Sequence, residues 1–297
     1  MGVIIEELNQ NVIGKRLGQN LYNPTGNLLL RKGVEISPRY FEFFVGRGYR
    51  SIFLLSNEPD RGLSSVHYNS DKLLATAPYL LKRVFRKLKL EESVNAAQAR
   101  GELLSLAESI LVHVRNTLRV PPKIIELKRA EDYLYQHSVN VAVHSILIGQ
   151  KLDFHDKKLL TLAISALLHD FGMMFVDDAI VNKTTRLEEA EFEQVKEHTT
   201  KGFTHLVRNC FFDGMITIAS VQHHERYDGH GYPKSLEGES IHEYSRIIAL
   251  TDFFDAWTSD RPHRRLNSVE HAMEFIRANQ STIFDPTLAA RFVETFG

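Results

Sequence analysis

The sequence predicts a mainly α-helical protein with a small β-containing segment at its N-terminal end. Three observations point there: short apolar runs broken by turn formers before Leu55, a polar stretch from Ser56 to Ser70, and an almost unbroken helical rhythm beyond Glu131. The 297 residues, 43% of them hydrophobic, suffice for sizeable cores in one large or two ordinary domains.

From Val3 to about Leu55 the apolar runs Asn20-Leu21-Tyr22 and Asn27-Leu28-Leu29-Leu30 flank the turn Asn23-Pro24-Thr25-Gly26, as short strands do. Ile36 to Gly48 has a helical rhythm of aromatics ending at a glycine, and Tyr49 to Leu55 reads as one more strand. This segment holds no cluster of ligands or nucleophiles, so residues 1–60 are expected to form a regulatory or packing module. Ser56 to Ser70, with Pro59, Gly62 and paired serines, is the expected linker. Two amphipathic helices follow, from Asp71 to about Leu90 and from Glu91 to about Leu118, where Pro121-Pro122 stops the pattern. Residues 61–130 are thus expected to connect two domains, and the helices of 71–118 are the expected surface of a homodimer. The basic run from Lys82-Arg83 to Lys87 and Lys89 is interleaved with apolar residues at helical spacing and reads as a solvated helix face.

The stretches Val139 to Leu152 and Leu159 to Leu168 are apolar on nearly all sides, which predicts central buried helices. Glu188 to Val207, Met215 to Arg226, Glu243 to Trp257 and Ser268 to Ala278 are expected as further helices of a third region, residues 131–297.

Composition narrows the partners. Thirty-six basic and thirty-seven acidic residues leave no net field to attract a nucleic-acid polymer or an anionic membrane, so phosphate recognition has to be local. The single cysteine, Cys210, excludes an internal disulfide and is expected to be a buried packing residue in a reducing compartment. No apolar stretch is expected to span a membrane, and acids stand where a signal peptide carries basic residues, so a cytoplasmic location is expected.

The chemistry lies in ligand-type side chains at the ends of the buried helices. His137 is expected to start one, His169-Asp170 to end the next, and His198, His223, His224 and Asp252 to lie on later ones. Imidazole and carboxylate are the mixed ligands that suit iron, manganese or zinc. Buried beside apolar helix interiors they are costly without partners, and coordination offsets that desolvation.

These residues, with the run His223-His224-Glu225-Arg226-Tyr227-Asp228-Gly229-His230-Gly231-Tyr232-Pro233, resemble in order and spacing the HD-GYP family, a branch of the HD-domain phosphohydrolases. The match extends from about Tyr133 to Arg265 and includes Asp252-Phe253-Phe254-Asp255-Ala256 and Arg261-Pro262. The resemblance implies an all-helical HD-type bundle that uses divalent metals, iron or manganese, to hydrolyse the bacterial second messenger cyclic di-GMP to linear pGpG or GMP. It assigns His137, His169, Asp170, His198, His223, His224 and Asp252 to metal, with Asp170 bridging two ions. His169 and Asp170 become the catalytic pair, with a metal-bridging hydroxide as nucleophile. Members with a third metal carry a glutamate where this chain has Tyr133, so two ions are expected. Two ions about 3.5–4 Å apart suit in-line attack on phosphorus. Gly231, Tyr232 and Pro233, together with Arg261 and Arg264, match positions that contact substrate.

One departure stands out. Relatives continue the pair as His-Asp-x-Gly-Lys, whereas this chain has His169-Asp170-Phe171-Gly172-Met173. The lost charge weakens phosphate binding, by about 1.5–3 kcal/mol for a charged hydrogen bond. The alternative reading is a low-activity domain acting as a cyclic di-GMP receptor or interaction scaffold, or a hydrolase for another nucleotide. His144 is expected to pack or to act behind the ligands. His155, His205, His230, His242, His263 and His271 are expected in loops or at the surface.

Overall fold

A computed structural model describes residues 2–18, 20–23, 27–47, 49, 51–56, 72–90, 93–117, 133–181, 183, 185–259 and 268–297. The expected linker, Ser56 to Ser70, therefore falls outside the described residues apart from Ser56. The chain divides into two compact units, residues 1–80 with 122–136 and residues 81–121 with 137–297.

In the first unit β1 (Gly2–Glu7) pairs antiparallel with β4 (Ser51–Ser56), Ile4 opposite Leu54, while β2 (Leu21–Tyr22) and β3 (Leu28–Leu30) form a short antiparallel hairpin. Isolated bridges join Arg16 to Glu35 and Leu17 to Leu54. The helix α1 (Pro38–Val45) starts where Ser37 accepts a hydrogen bond from the Tyr40 backbone N–H and Pro38 presets the first turn. These elements enclose a core of Val12, Leu17, Leu21, Ile36, Phe44, Ile52 and Leu54. At roughly 1.5–3 kcal/mol for each large apolar side chain removed from water, that core offsets the ordering of a short chain segment.

The second unit is helical. Its helices are the C-terminal half of α2 (Lys72–Lys89), then α3 (Ser93–Thr117), α4 (Tyr133–Lys151) from His137 onward, α5 (Asp156–Leu168), α6 (Asp178–Val181), α7 (Glu189–Arg208), α8 (Gly214–Gln222), α9 (Glu243–Thr258), α10 (Val269–Ala278) and α11 (Pro286–Phe296). The helix α5 packs on α3, α8 and α9, and α8 on α7 and α9, so α5 is buried along most of its length, from Leu162 to Leu168. The apolar run 156–175 is long enough to cross a membrane by length and composition, contrary to the expectation that no stretch reaches that length. Most of it is buried inside the protein, as a core helix requires.

Local signals set the helix starts. His155 and His242 cap α5 and α9, Glu188 and Glu191 form a capping box on α7, and Asp213 and Asp285 cap α8 and α11. The sequence expectations omitted α11 and α6, although Asp285-Pro286 followed by Leu288, Ala289 and Phe292 is a helix start with an apolar face. The helix expected from Met215 to Arg226 ends instead at Gln222, because the turn tightens there and the Glu225 N–H bonds back to the Gln222 carbonyl at 3.0 Å. His223 and His224 follow the helix rather than lying on it. His137, expected to begin a helix, sits one turn inside α4.

The end of α2 and all of α3 belong to this unit. Leu81, Val84, Phe85 and Leu88 are buried, and the solvated face is occupied as expected, with Arg83 and Lys87 both on Glu102. The Leu88 carbonyl accepts from His205 Nε2 at 2.7 Å and from the Cys210 thiol at 3.3 Å. His205 is thus not a surface residue: it faces inward on α7 and lies against Phe171 and Phe175. Cys210 is buried as expected, and burial pushes its thiol up to about 11.

One contact sets where α7 meets the segment after α5. A Cβ on Gly172 would lie 1.8 Å from the His198 carbonyl oxygen, and one on Gly202 would lie 2.8 Å from the Gly172 nitrogen. Only two glycines let these backbones approach so closely. Gly172→Ala is expected to force α7 away, lowering stability by about 1–3 kcal/mol or more, and to reduce bound divalent metal. Thermal unfolding together with metal analysis of the purified variant checks this, and a wild-type Tm would contradict it.

Candidate metal centre

The helical unit brings the seven ligand-type residues together. Asp170 lies just past the end of α5, and its two oxygens face different partners. Oδ1 is 3.3 Å from His198 Nε2 and 3.5 Å from His223 Nε2, while Oδ2 is 3.5 Å from His169 Nε2 and 3.9 Å from His137 Nε2. Ligand atoms of Asp170, His198, His223 and His224 lie within 4.8 Å of one another, and so do those of His137, His169 and Asp170. Asp252, on α9, stands 3.0 Å from His137 Nε2. Two ligand groups therefore share one carboxylate.

The imidazoles are oriented by their own helices. Nδ1 of His169, His198 and His223 lies 2.7, 2.6 and 2.7 Å from the carbonyls of Ala166, Val195 and Ala219. A carbonyl only accepts, so each Nδ1 carries the proton, and Nε2 of a neutral ring presents a lone pair to the cluster. Burial pushes His169 down to about 4, so it is neutral near pH 7 and its Nε2 is a bare acceptor. That nitrogen is buried with no hydrogen-bond partner. A lone pair facing a carboxylate is repulsive unless a cation lies between them, and the cluster fits a divalent metal for that reason.

His137 is held differently. Its Nδ1 lies 2.7 Å from Asp255 Oδ2, whose other oxygen accepts from Asn140 Nδ2 at 2.8 Å. Burial opposes its charge, yet the hydrogen bonds to Asp252 and Asp255 carry His137 up to about 9. The proton shared with Asp252 stands where a cation would stand. Burial alone would raise Asp170 and Asp252, but the surrounding imidazoles hold both below the usual carboxylate range. His224 is pushed well down by burial and by His223.

The run after α8 folds back over this cluster. Glu225 is buried, and its two oxygens accept from the backbone N–H groups of Lys234 at 2.7 Å and Leu236 at 3.0 Å. A Cβ on Gly231 would lie 2.3 Å from the Arg226 nitrogen, so glycine is required for that return. The strap places the Tyr232 ring on His224, centroids 4.8 Å apart and planes 30° apart, and leaves Pro233 exposed. Burial, with Asp170 and Asp252, pushes the Tyr232 hydroxyl upward, so it stays a neutral donor.

Of the expected substrate residues, Gly231 and Tyr232 lie beside the cluster, whereas Arg261 and Arg264 lie outside the described residues. His144 is buried between Phe254 and Phe296, two turns from the cluster. Sequence reasoning missed Asp255, Asn140 and the role of Glu225. A signal existed for the first two, since Asp252/Asp255 and His137/Asn140 are both spaced i, i+3 and so share a helix face. Nothing in the spacing marked Glu225 as the anchor of a loop ten residues on.

Asp255→Asn removes the carboxylate behind His137 and is expected to weaken metal affinity about 10–100-fold. Titration of the metal-free protein, read by calorimetry, checks this, and wild-type affinity would refute it. Uptake of metal must also displace the His137 proton. Below about pH 9, affinity should therefore fall by about tenfold per pH unit while one proton is exchanged. Calorimetry in two buffers of different ionisation heat counts that proton, and none released would exclude the assignment.

Comparison with known proteins agrees with this geometry. The HD domain family profile matches residues 119–288. A Pseudomonas aeruginosa protein named cyclic di-GMP phosphodiesterase PA4108 is 31% identical over 76% of this chain and 53% of its own length. A Vibrio cholerae 3′3′-cGAMP-specific phosphodiesterase 3 is 35% identical over 55% of this chain and 35% of its own length. The chain therefore spans about half the length of the first relative and about a third of the second. Bd1817, an HDG"Y"P protein from Bdellovibrio bacteriovorus, superposes with a TM-score of 0.60 over 98% of both chains at 17% identity, a likeness of fold. With the HD pair, the remaining imidazoles and carboxylate gathered around it, and the Gly231-Tyr232-Pro233 strap in place, the chain belongs to the HD-domain family, in its HD-GYP branch.

Proposed function

We propose that this chain is a metal-dependent phosphodiesterase that hydrolyses cyclic di-GMP to linear pGpG, GMP or both. The observation that carries this reading is the set of helix-fixed imidazoles aimed at both oxygens of Asp170, one of them with a buried, unpartnered Nε2. His137, His169, Asp170, His198, His223, His224 and Asp252 would hold two divalent ions, iron or manganese, with Asp170 offering one oxygen to each ligand group. Bound there, such ions supply an acidified water and neutralise charge on the phosphoryl oxygens.

The chain's own residues do the rest. Asp255 and the three helix carbonyls keep the imidazoles in a single tautomer, so no reorganisation is needed when charge builds on phosphorus. Tyr232 offers a ring face and a neutral hydroxyl to the nucleotide, at a position held by Glu225. Water adds to phosphorus, the bond to the ribose 3′ oxygen breaks, that oxygen takes a proton, and a 5′-phosphate remains. No side-chain nucleophile is required. Residues 1–60 serve as the regulatory module of this reading, 61–130 as the connection, whose helices of 71–118 carry a homodimer contact, and 131–297 as the hydrolase domain.

Met173 supports a second reading, a cyclic di-GMP receptor of low activity. It is half-buried in the tight turn directly after Asp170, where the family's lysine would bring positive charge. The similarity to a cGAMP-specific enzyme makes a mixed cyclic dinucleotide the competing substrate.

The test is anaerobic purification, metal analysis, and turnover of cyclic di-GMP and 3′3′-cGAMP followed by chromatography, beside Asp170→Ala. Two metals per chain and cleavage of cyclic di-GMP, both lost in Asp170→Ala, are expected. Metal and nucleotide binding without cleavage would replace the enzyme by the receptor. Met173→Lys is expected to raise kcat/KM about tenfold through a recovered charged contact. An unchanged or lower value means the pocket has adapted to methionine.

A further inference from the structure

We infer that Lys196 is a substrate-binding residue that takes the second phosphate of a cyclic dinucleotide, which rests on the phosphodiesterase reading above. Lys196 lies on α7 two residues before His198, and its side chain is only 29% exposed. Its ammonium is 5.0 Å from the centroid of the Phe192 ring and 5.5 Å from that of Tyr232. Tyr232 in turn stacks on His224. The same ring therefore touches both the ligand cluster and a cation.

The ammonium is held but not committed. Aromatic faces fix its position without neutralising it. Its carboxylate partner, 2.6 Å away, is Glu193, which is one turn earlier and 60% exposed. Exposed pairs of this kind contribute little, so an incoming phosphate exchanges readily with Glu193. A cyclic dinucleotide carries two phosphodiesters in one ring, and only one can lie over Asp170 at a time. The other remains a charged group beside the cluster, where the Tyr232 ring that stacks on His224 also holds the Lys196 ammonium. The Phe192 contact is the ordinary i, i+4 neighbour on α7, but the Tyr232 contact comes from the strap over the cluster and is not expected of a lysine that merely solvates the helix.

The experiment compares wild type, Lys196→Gln and Lys196→Arg on cyclic di-GMP and on bis(p-nitrophenyl) phosphate, which has a single phosphate. Calorimetric Kd for cyclic di-GMP and metal content are measured on the same preparations. Lys196→Gln is expected to weaken Kd and raise KM for cyclic di-GMP about tenfold. The ratio of kcat/KM for the dinucleotide to that for the simple diester should fall similarly, with metal content intact and Lys196→Arg recovering most of the loss. Glu193→Gln removes the competing carboxylate and should lower KM for cyclic di-GMP. Wild-type Kd in Lys196→Gln, or equal losses on both diesters, overturns the inference and leaves the phosphodiesterase reading standing. A wild-type protein that neither binds cyclic di-GMP nor cleaves either diester removes both.

Discussion

Asp170 shares its two oxygens between two groups of imidazoles, and most of the helical unit can be understood as the means of keeping it there. Histidines and carboxylates gathered in a core lose their hydration, a cost that grows with every group added. Here the Nδ1 protons of three imidazoles are directed away from the centre, and at His137 a proton shared with Asp252 stands where a cation is wanted. The carbonyls of Ala166, Val195 and Ala219 take the Nδ1 protons of His169, His198 and His223, which turns three Nε2 atoms toward Asp170. His137 alone is clamped by carboxylates at both ring nitrogens. Carboxylate oxygens and imidazole nitrogens converging there favour positive charge at the centre, which a bound metal would supply.

Backbone contacts also hold that arrangement in place. Gly172 and Gly202 bring the turn after Asp170 against α7, which sets how closely His198 can approach. Behind the same turn, Phe171 packs on Phe85 of α2, and the Leu88 carbonyl is tied to His205 and Cys210. The last turns of α2 thus contact the segment that carries Asp170, and a displacement of that helix would be transmitted to it through packed side chains. On the open side, the buried carboxylate of Glu225 pins the strap that carries Tyr232.

Much of this was legible in the residues. The helical rhythm beyond Glu131 and the apolar density of α4 and α5 predicted buried helices, because a helix apolar on all sides has no water-facing surface to offer. The seven ligand-type residues and the Gly231-Tyr232-Pro233 run matched a family order too long to arise by chance. Other features were not legible. His205 looks like any helical histidine until α7 is seen to turn it toward Leu88, and α8 was expected four residues too long because nothing local marks the tightened turn at Gln222.

The sequence by itself determined which side chains are available and in what order along the chain, and hence the helical class, the family and the chemistry of imidazole with carboxylate. Spacing along one helix also carried the pairs His137/Asn140 and Asp252/Asp255, since an i, i+3 interval is a local property. The tertiary structure decided which atoms meet. Residues 85 positions apart, such as Asp170 and Asp255, both reach His137, and Glu225 holds the backbone of Leu236. Such contacts depend on how helices approach one another, which is set by packing at glycines and buried apolar faces rather than by any local preference. The imidazole tautomers divide the same way: those of His169, His198 and His223 are set locally by carbonyls three or four residues back, whereas that of His137 is set by Asp255 across the gap between helices.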